Sequence, residues 1–157
     1  CDRASLDRRS DVAVFTGAPL KGALQMQGKP KLRLHVCADQ PGFDLCVALS
    51  RLPLGTNTVQ QLSTGMLRVR GQKALELCER ELDLQPLLAT FEPGDRLRLS
   101  IAGAAWPAIA INPGNPAVAC SAPCADCRVI SMELHLEMAQ LWMLPLLAPQ
   151  HLGTPAD

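Results

Sequence analysis

Three cysteines in CSAPCADC, Cys120, Cys124 and Cys127, have the types and spacing in this chain most suggestive of chemistry. In C-x3-C-x2-C order, three thiolates could hold an iron–sulfur cluster with one iron left open. Radical enzymes of the S-adenosylmethionine type use that spacing, but on a barrel with alternating helices. Zinc would need a fourth ligand, and only Asp126, His135 or Cys37 can be nominated. The plainer reading, adopted here, is a loop of incidental thiols, with a metal-binding protein kept as the weaker alternative. The histidines add little. His35 and His135 fall on the polar sides of alternating segments and His151 lies in the tail. Asp39 and Asp44 flank the Pro41-Gly42 turn, where Asp ordinarily bonds its own backbone. Ser63 lies in the turn-like LSTG, Ser100 alternates onto a wet face, and Ser121 sits in the cysteine loop, none with a histidine nearby in sequence. G-x-S-x-G, H-E-x-x-H, G-x-G-x-x-G and the phosphate-binding loop are all missing. No catalytic residue and no cofactor are assigned.

The elements that would position these residues are mostly strands. In KLRLHVCAD, Leu32, Leu34, Val36 and Ala38 alternate with Lys31, Arg33, His35, Cys37 and Asp39. DLCVALS repeats the pattern with Leu45, Val47 and Leu49, MLRVR with Leu67 and Val69, and DRLRLSI with Leu97, Leu99 and Ile101. VISMELHLEM puts Ile130, Met132, Leu134, Leu136 and Met138 on one side. Period two predicts sheets with one buried and one wet face. The arginines of RVR and DRLRLS then read as a solvated or ion-paired surface. APLKG, QPG, LPLGTN, EPGD and NPGNP are turn chemistry. Strands at this spacing predict an all-β fold, an antiparallel two-sheet sandwich or jelly roll. QPLLATF reads as a short helix or tight turn. Leu77 and Leu82 cannot share a face of one straight strand, so a bulge or a start near Cys78 is expected.

At 157 residues the chain is read as one β-sandwich domain over residues 1–148, with 149–157 a frayed tail. Lys plus Arg, 15, equals Asp plus Glu, 15, so no net field draws it to nucleic acid or an anionic membrane. No apolar run approaches the roughly 18 residues of a membrane span. Seven irregularly spaced cysteines and no visible secretory leader point to a reducing, cytoplasmic setting. Opening on Cys1 rather than Met suggests a piece of something longer.

Four segments in unbroken order carry a resemblance: DVAVFTGAPL, ADQPGFDLCVAL, LSTGMLRVR and FEPGDRLRLSIAGAAWPAIAINP. Over residues 2–116, and more faintly beyond, the chain resembles the C-terminal region of the cocaine-esterase and X-Pro dipeptidyl-peptidase hydrolases (the CocE/NonD group). The resemblance implies a jelly roll of galactose-binding-like type. It also implies an upstream α/β-hydrolase domain of the parent chain, which would hold the Ser-Asp-His triad. Three places depart from the group's usual pattern. Gly94-Asp95-Arg96-Leu97-Arg98 stands where Gly-His-Arg-Leu-Arg is common, and Trp106-Pro107-Ala108-Ile109 where Phe-Pro-Arg-Phe is common. Asn112-Pro113-Gly114-Asn115-Pro116 replaces Asn-Pro-Asn-Thr-Gly. The Arg and His common at these positions are absent here.

The main functional reading is a non-catalytic domain that buttresses a serine hydrolase of X-Pro dipeptidyl-peptidase or acyl-esterase type and helps frame its cleft. Trp106, Pro107, Ile109 and Asn112 are the interdomain or cleft-framing candidates, with Trp106 and Ile109 anchoring either the loop itself or a neighbouring domain. The alternative is a carbohydrate- or ligand-binding module, suggested by fold type alone. A homo-oligomer stays open. On the thiols, protein purified without chelator is expected to carry well under one equivalent of zinc or iron by metal analysis. Stoichiometric metal lost in Cys124→Ser would revive the metal reading.

Overall fold

The computed structural model describes residues 1–121 and 123–144, with the side chains of Cys124 and Leu144 excepted. The expected tail at 149–157, and His151 within it, lie outside these residues. Eight strands form two antiparallel sheets: β1 Val12–Thr16, β2 Leu24–Ala38, β3 Gly42–Leu52, β4 Gln60–Arg70, β5 Cys78–Asp83, β6 Leu87–Phe91, β7 Arg96–Ala102 and β8 Met132–Leu144. One sheet has the order β1-β7-β3-β4; in the other, β2 pairs with β5, β6 and β8. Single 3-10 turns occupy Gln72–Ala74 and Cys124–Asp126. Among the described residues no helix is long and apolar enough to cross a membrane.

Alternation places the core as the sequence predicts. On β2, Leu32, Leu34 and Val36 are at most 1 % exposed, and on β3 Phe43, Leu45, Val47 and Leu49 meet them from the facing sheet. Leu67, Leu97, Leu99 and Leu134, expected inside as well, pack on this cluster while only partly buried. Each fully buried Leu contributes about 1.5–3 kcal/mol, which penalises any one-residue slip. The outer face of β2 is wet and ion-paired. Lys31 bonds Glu81 at 2.7 Å, Arg33 bonds Glu81 at 3.0 Å, and the Arg33 guanidinium lies over the Trp142 ring at 4.9 Å. Exposed pairs of this kind are worth up to about 1 kcal/mol each.

Four expectations fail, each for a packing reason. QPLLATF is neither helix nor turn: Leu87–Phe91 forms β6, because the first half of the long β2 offers it a ladder from Leu24 to Gly28. Ser63 is not in a turn but inside β4, 2 % exposed, its hydroxyl donating to the Gln85 carbonyl at 2.6 Å. The outer face of the β1-β7-β3-β4 sheet is not wet, because the N-terminal segment and the β7–β8 connection cover it. Ser100 is therefore 1 % exposed and donates to Asp7 at 2.9 Å, and Asp44 is 2 % exposed. Finally, β8 is not one continuous alternation. Arg33 and His35, two apart on β2, face Gln140 and His135, five apart on β8, and this bulge leaves Met138 half exposed. The break at Leu77 and Leu82 resolves as expected: β5 starts at Cys78, Leu77 is exposed and Leu82 is buried.

The sheets touch most closely at one edge. Gly65 of β4 faces inward, where a Cβ would stand 2.4 Å from the Asp83 carbonyl oxygen, and it bridges to Leu84. Leu34→Ala is expected to cost about 3 kcal/mol in urea unfolding through the cavity it leaves. Leu88→Ala, at a side chain 67 % exposed, should stay within about 0.5 kcal/mol.

Candidate functional site

The connection from β7 to β8 begins as a turn problem. In EPGD, Gly94 takes a φ of 90°, open to glycine without strain, and Asp95 closes the turn. Its carboxylate accepts N–H bonds from Glu92 at 2.8 Å and Leu54 at 3.0 Å, and Arg51 Nε stands 2.6 Å away. Those bonds, the Glu92 N–H first, hold its pKa below the ordinary 3.8. The aspartate that replaces the group's usual histidine is thus a buried structural acceptor, 2 % exposed.

Past β7 the chain leaves the sheet, and its far half is held from inside. Asp44 of β3 takes Arg68 of β4, its cross-strand partner, in a two-point pair: Nε to Oδ1 at 2.8 Å and Nη2 to Oδ2 at 2.6 Å. Asn112 adds its amide to Asp44 Oδ1 at 2.9 Å and accepts the Gly114 N–H at 3.1 Å. Arg68 also donates to the Ala110 carbonyl and to Cys120 Sγ, the latter at 3.2 Å. Gly42 makes room, since a Cβ there would meet Asn112 Oδ1 at 3.0 Å. One guanidinium therefore spans two strands and two points of the loop. The reading of Asp44 as a turn residue bonding its own backbone is corrected: it is a buried ion-pair acid in a strand. Asp39 bonds at a distance too, accepting the Ser131 N–H at 2.8 Å.

The near half of the loop is presented outward. The Trp106–Pro107 peptide is cis, Trp106 is 70 % exposed, Pro107 is exposed and Ile109 is half-buried. Trp106 is therefore not packed under its own loop, and of the four candidates Asn112 alone is an internal anchor. Beside Trp106 an open groove of about 1060 Å³ runs between the loop and the N-terminal segment. Leu6, Ala48, Met66, Ala102, Ile109 and Ile111 line much of it. The Cys46 thiol in its floor is pushed to about 11, first by burial and then by the Asp44 charge, so it stays neutral. Charges on the rim are matched within the chain: Arg9 to Asp11 at 2.6 Å, Lys29 to Asp83 at 2.6 Å, and Arg3 to Asp7 at 3.4 Å. The surface offered is apolar, with an aromatic at its lip.

The other sequence candidates are scattered. Cys120 faces Arg68, while Cys127 Sγ donates to the Pro123 carbonyl at 3.9 Å; the Cys124 side chain lies outside the described residues. Among the described residues no three His, Cys, Asp or Glu side chains are grouped to hold a metal. Ser63 and Ser100 spend their hydroxyls on a carbonyl and a carboxylate rather than an imidazole. Sequence reasoning missed Asp7, Asp44 and Arg68. A charged residue inside the apolar run FDLCVAL was the available signal.

Residues 2–125 match the family described as the X-Pro dipeptidyl-peptidase C-terminal non-catalytic domain. The chain belongs to that family. Solved structures share the fold. An aminopeptidase from a marine sediment Thaumarchaeota archaeon aligns with a TM-score of 0.77 at 22 % identity, covering 85 % of this chain and 25 % of its own. An α-amino acid ester hydrolase aligns at 0.74 and 19 % identity, covering 90 % and 26 %. A CocE/NonD family hydrolase from Staphylococcus aureus aligns at 0.54 and 19 % identity, covering 67 % and 24 %. This chain spans about a quarter of the length of each. No curated protein matches it.

Asp44→Ala is expected to cost about 3 kcal/mol in denaturant unfolding, because Arg68 is left facing no acid. Asn112→Ala should cost about 2 kcal/mol. Trp106→Ala in this chain alone should stay within about 0.5 kcal/mol.

Proposed function

We propose that this chain is the ancillary domain of a serine hydrolase of X-Pro dipeptidyl-peptidase or acyl-esterase type. It buttresses an α/β-hydrolase domain of the same parent chain and helps frame the substrate cleft. The observation that carries this is the exposed Trp106 on a loop nailed down behind it by Asp44, Arg68 and Asn112, next to an apolar groove whose rim charges are already matched. Rigid aromatics set in a dry, uncharged surface are what carry protein contacts, because they bury large area at little entropy cost. Family membership supports the same reading, since the family is described as non-catalytic and C-terminal. In this arrangement Trp106, Pro107 and Ile109 meet the partner while Asn112 fixes the loop. The triad that performs acyl transfer belongs to the hydrolase domain, where nucleophile, base and oxyanion donors come together.

The six cysteines with described side chains are free thiols. This supports placing the protein in the cytoplasm, as a reading of redox compartment.

The test has two arms. Incubated with p-nitrophenyl esters, an X-Pro anilide and a fluorophosphonate, the chain alone is expected to turn over nothing and label nowhere. One serine labelled stoichiometrically, with turnover lost on its change to Ala, would refute the reading. In a parent chain with the hydrolase domain, Trp106→Ala should lower activity or melting temperature while the triad still labels. An unchanged parent would sink the role given to the loop.

A further inference from the structure

The outer face of β2 and β8 carries two histidines side by side. His35 and His135 are register partners across the strand pair, both pointing away from the core that Val36 and Leu134 face. Directly opposed side chains on a sheet face lie about 5 Å apart at Cβ. Their surroundings differ. His135 Nε2 lies 2.7 Å from Glu133 Oε1, and its Nδ1 lies 3.4 Å from Glu137 Oε1. Among the described residues, His35 Nδ1 is buried with no hydrogen-bond partner. The bulge of β8, which spans Glu137, is where the strand leaves regular pairing and where the clasping carboxylate comes from.

We propose that Glu133, His135 and Glu137 form a proton-dependent clasp along β8 that fixes the entry to its bulge, tight when the imidazole is charged and slack when it is neutral. An imidazolium donates from both ring nitrogens and satisfies both carboxylates. A neutral ring donates from only one, and the other nitrogen then turns a lone pair toward an anion. The permanent cations on this face are engaged elsewhere, Lys31 with Glu81 and Asp83, and the titratable group directly across the pair is His35. On β2, Arg33 is engaged by Glu79 at 3.4 Å and Glu81 at 3.0 Å, and Cys37 faces Glu133. On β5, Glu79 stands opposite His35 and adds negative charge beyond it. On β8 itself, Gln140 is uncharged and faces Arg33.

The sign follows from these contacts. Glu133, and then Glu137, raise the His135 pKa above its ordinary 6.5. A raised folded-state value means that the stabilisation is fully present below about 6.5 and is lost as pH rises through the higher, folded value. The clasp therefore loosens toward alkaline pH. Both carboxylates are largely exposed, at 69 % and 72 %, so the effect is modest and local.

Amide exchange of residues 133–140, corrected for intrinsic rates, should be about threefold slower at pH 6 than at pH 8.5 in the wild-type chain. The ratio should flatten in His135→Gln and persist in His35→Gln. A flat wild type, an unchanged slope in His135→Gln, or a slope abolished by His35→Gln would each overturn the clasp. Should His135→Gln fail to fold, Glu137→Gln provides the second reading. The His135 imidazole midpoint, followed by NMR, is expected to fall in that variant, and an unmoved midpoint would overturn the proposal.

Discussion

A carboxylate withdrawn from water must be given donors, and Asp44 in the middle of β3 sets that demand for one whole side of the molecule. Among the described residues its charged partner is Arg68, one strand away, and its third donor is Asn112, which lies in the connection between β7 and β8. Satisfying Asp44 therefore requires the connection to lie back over the sheet. Once it does, Asn112, Pro113 and Gly114 are buried and Arg68 can reach the Ala110 carbonyl. An ion pair of this sort contributes little net stability compared with an apolar isostere, because desolvation offsets most of the attraction. It does constrain the loop, since moving Asn112 away would take a donor from the buried Asp44 carboxylate. Trp106 projects from that anchored connection without being packed itself.

The same logic recurs on a smaller scale along this sheet. Asp95 closes the turn before β7, and Asp7 ties the N-terminal segment to Ser100 and Arg98. Two acids with buried carboxylates, Asp44 and Asp7, thus staple the coverings of one face, while the opposite outer face of the sandwich, on β2, β5 and β8, is left to exposed ladders of Lys, Arg and Glu. The two outer faces differ in kind: one is layered and sealed with a groove left in it, the other is solvated.

How far the sequence reveals this follows from which signals are local. Alternation in KLRLHVCAD and DLCVALS identifies β2, β3 and their inward residues because period two is written in the strand itself. The family resemblance rests on motif order, and the match over residues 2–125 agrees with it. β6 was misread because LLATF lacks alternation and owes its strand state to the ladder that Leu24–Gly28 provides, a partner about sixty residues earlier in the chain. The covering of the outer face was misread for a related reason. Ser100 and Arg98 look wet by parity, yet the distant Asp7 bonds both, and Ser100 is buried and Arg98 half-buried. The bulge in β8 hides behind an unbroken alternation in MELHLEM, since the surplus residues are defined against β2 and not within β8. In the site itself, Trp106 and Asn112 were picked out by the break in the strand pattern, whereas their division of labour, one outward and one inward, depends on Asp44.

Gly65 shows a different kind of limit. Its φ is unexceptional and it lines no chemistry. What fixes it is that the Asp83 carbonyl of the other sheet occupies the place where any side chain would begin. For sequence drift this is a position with an alphabet of one letter. Every homologue keeping this spacing between the sheets must keep the glycine or move an entire edge, so the residue records a backbone distance rather than a preference of its own.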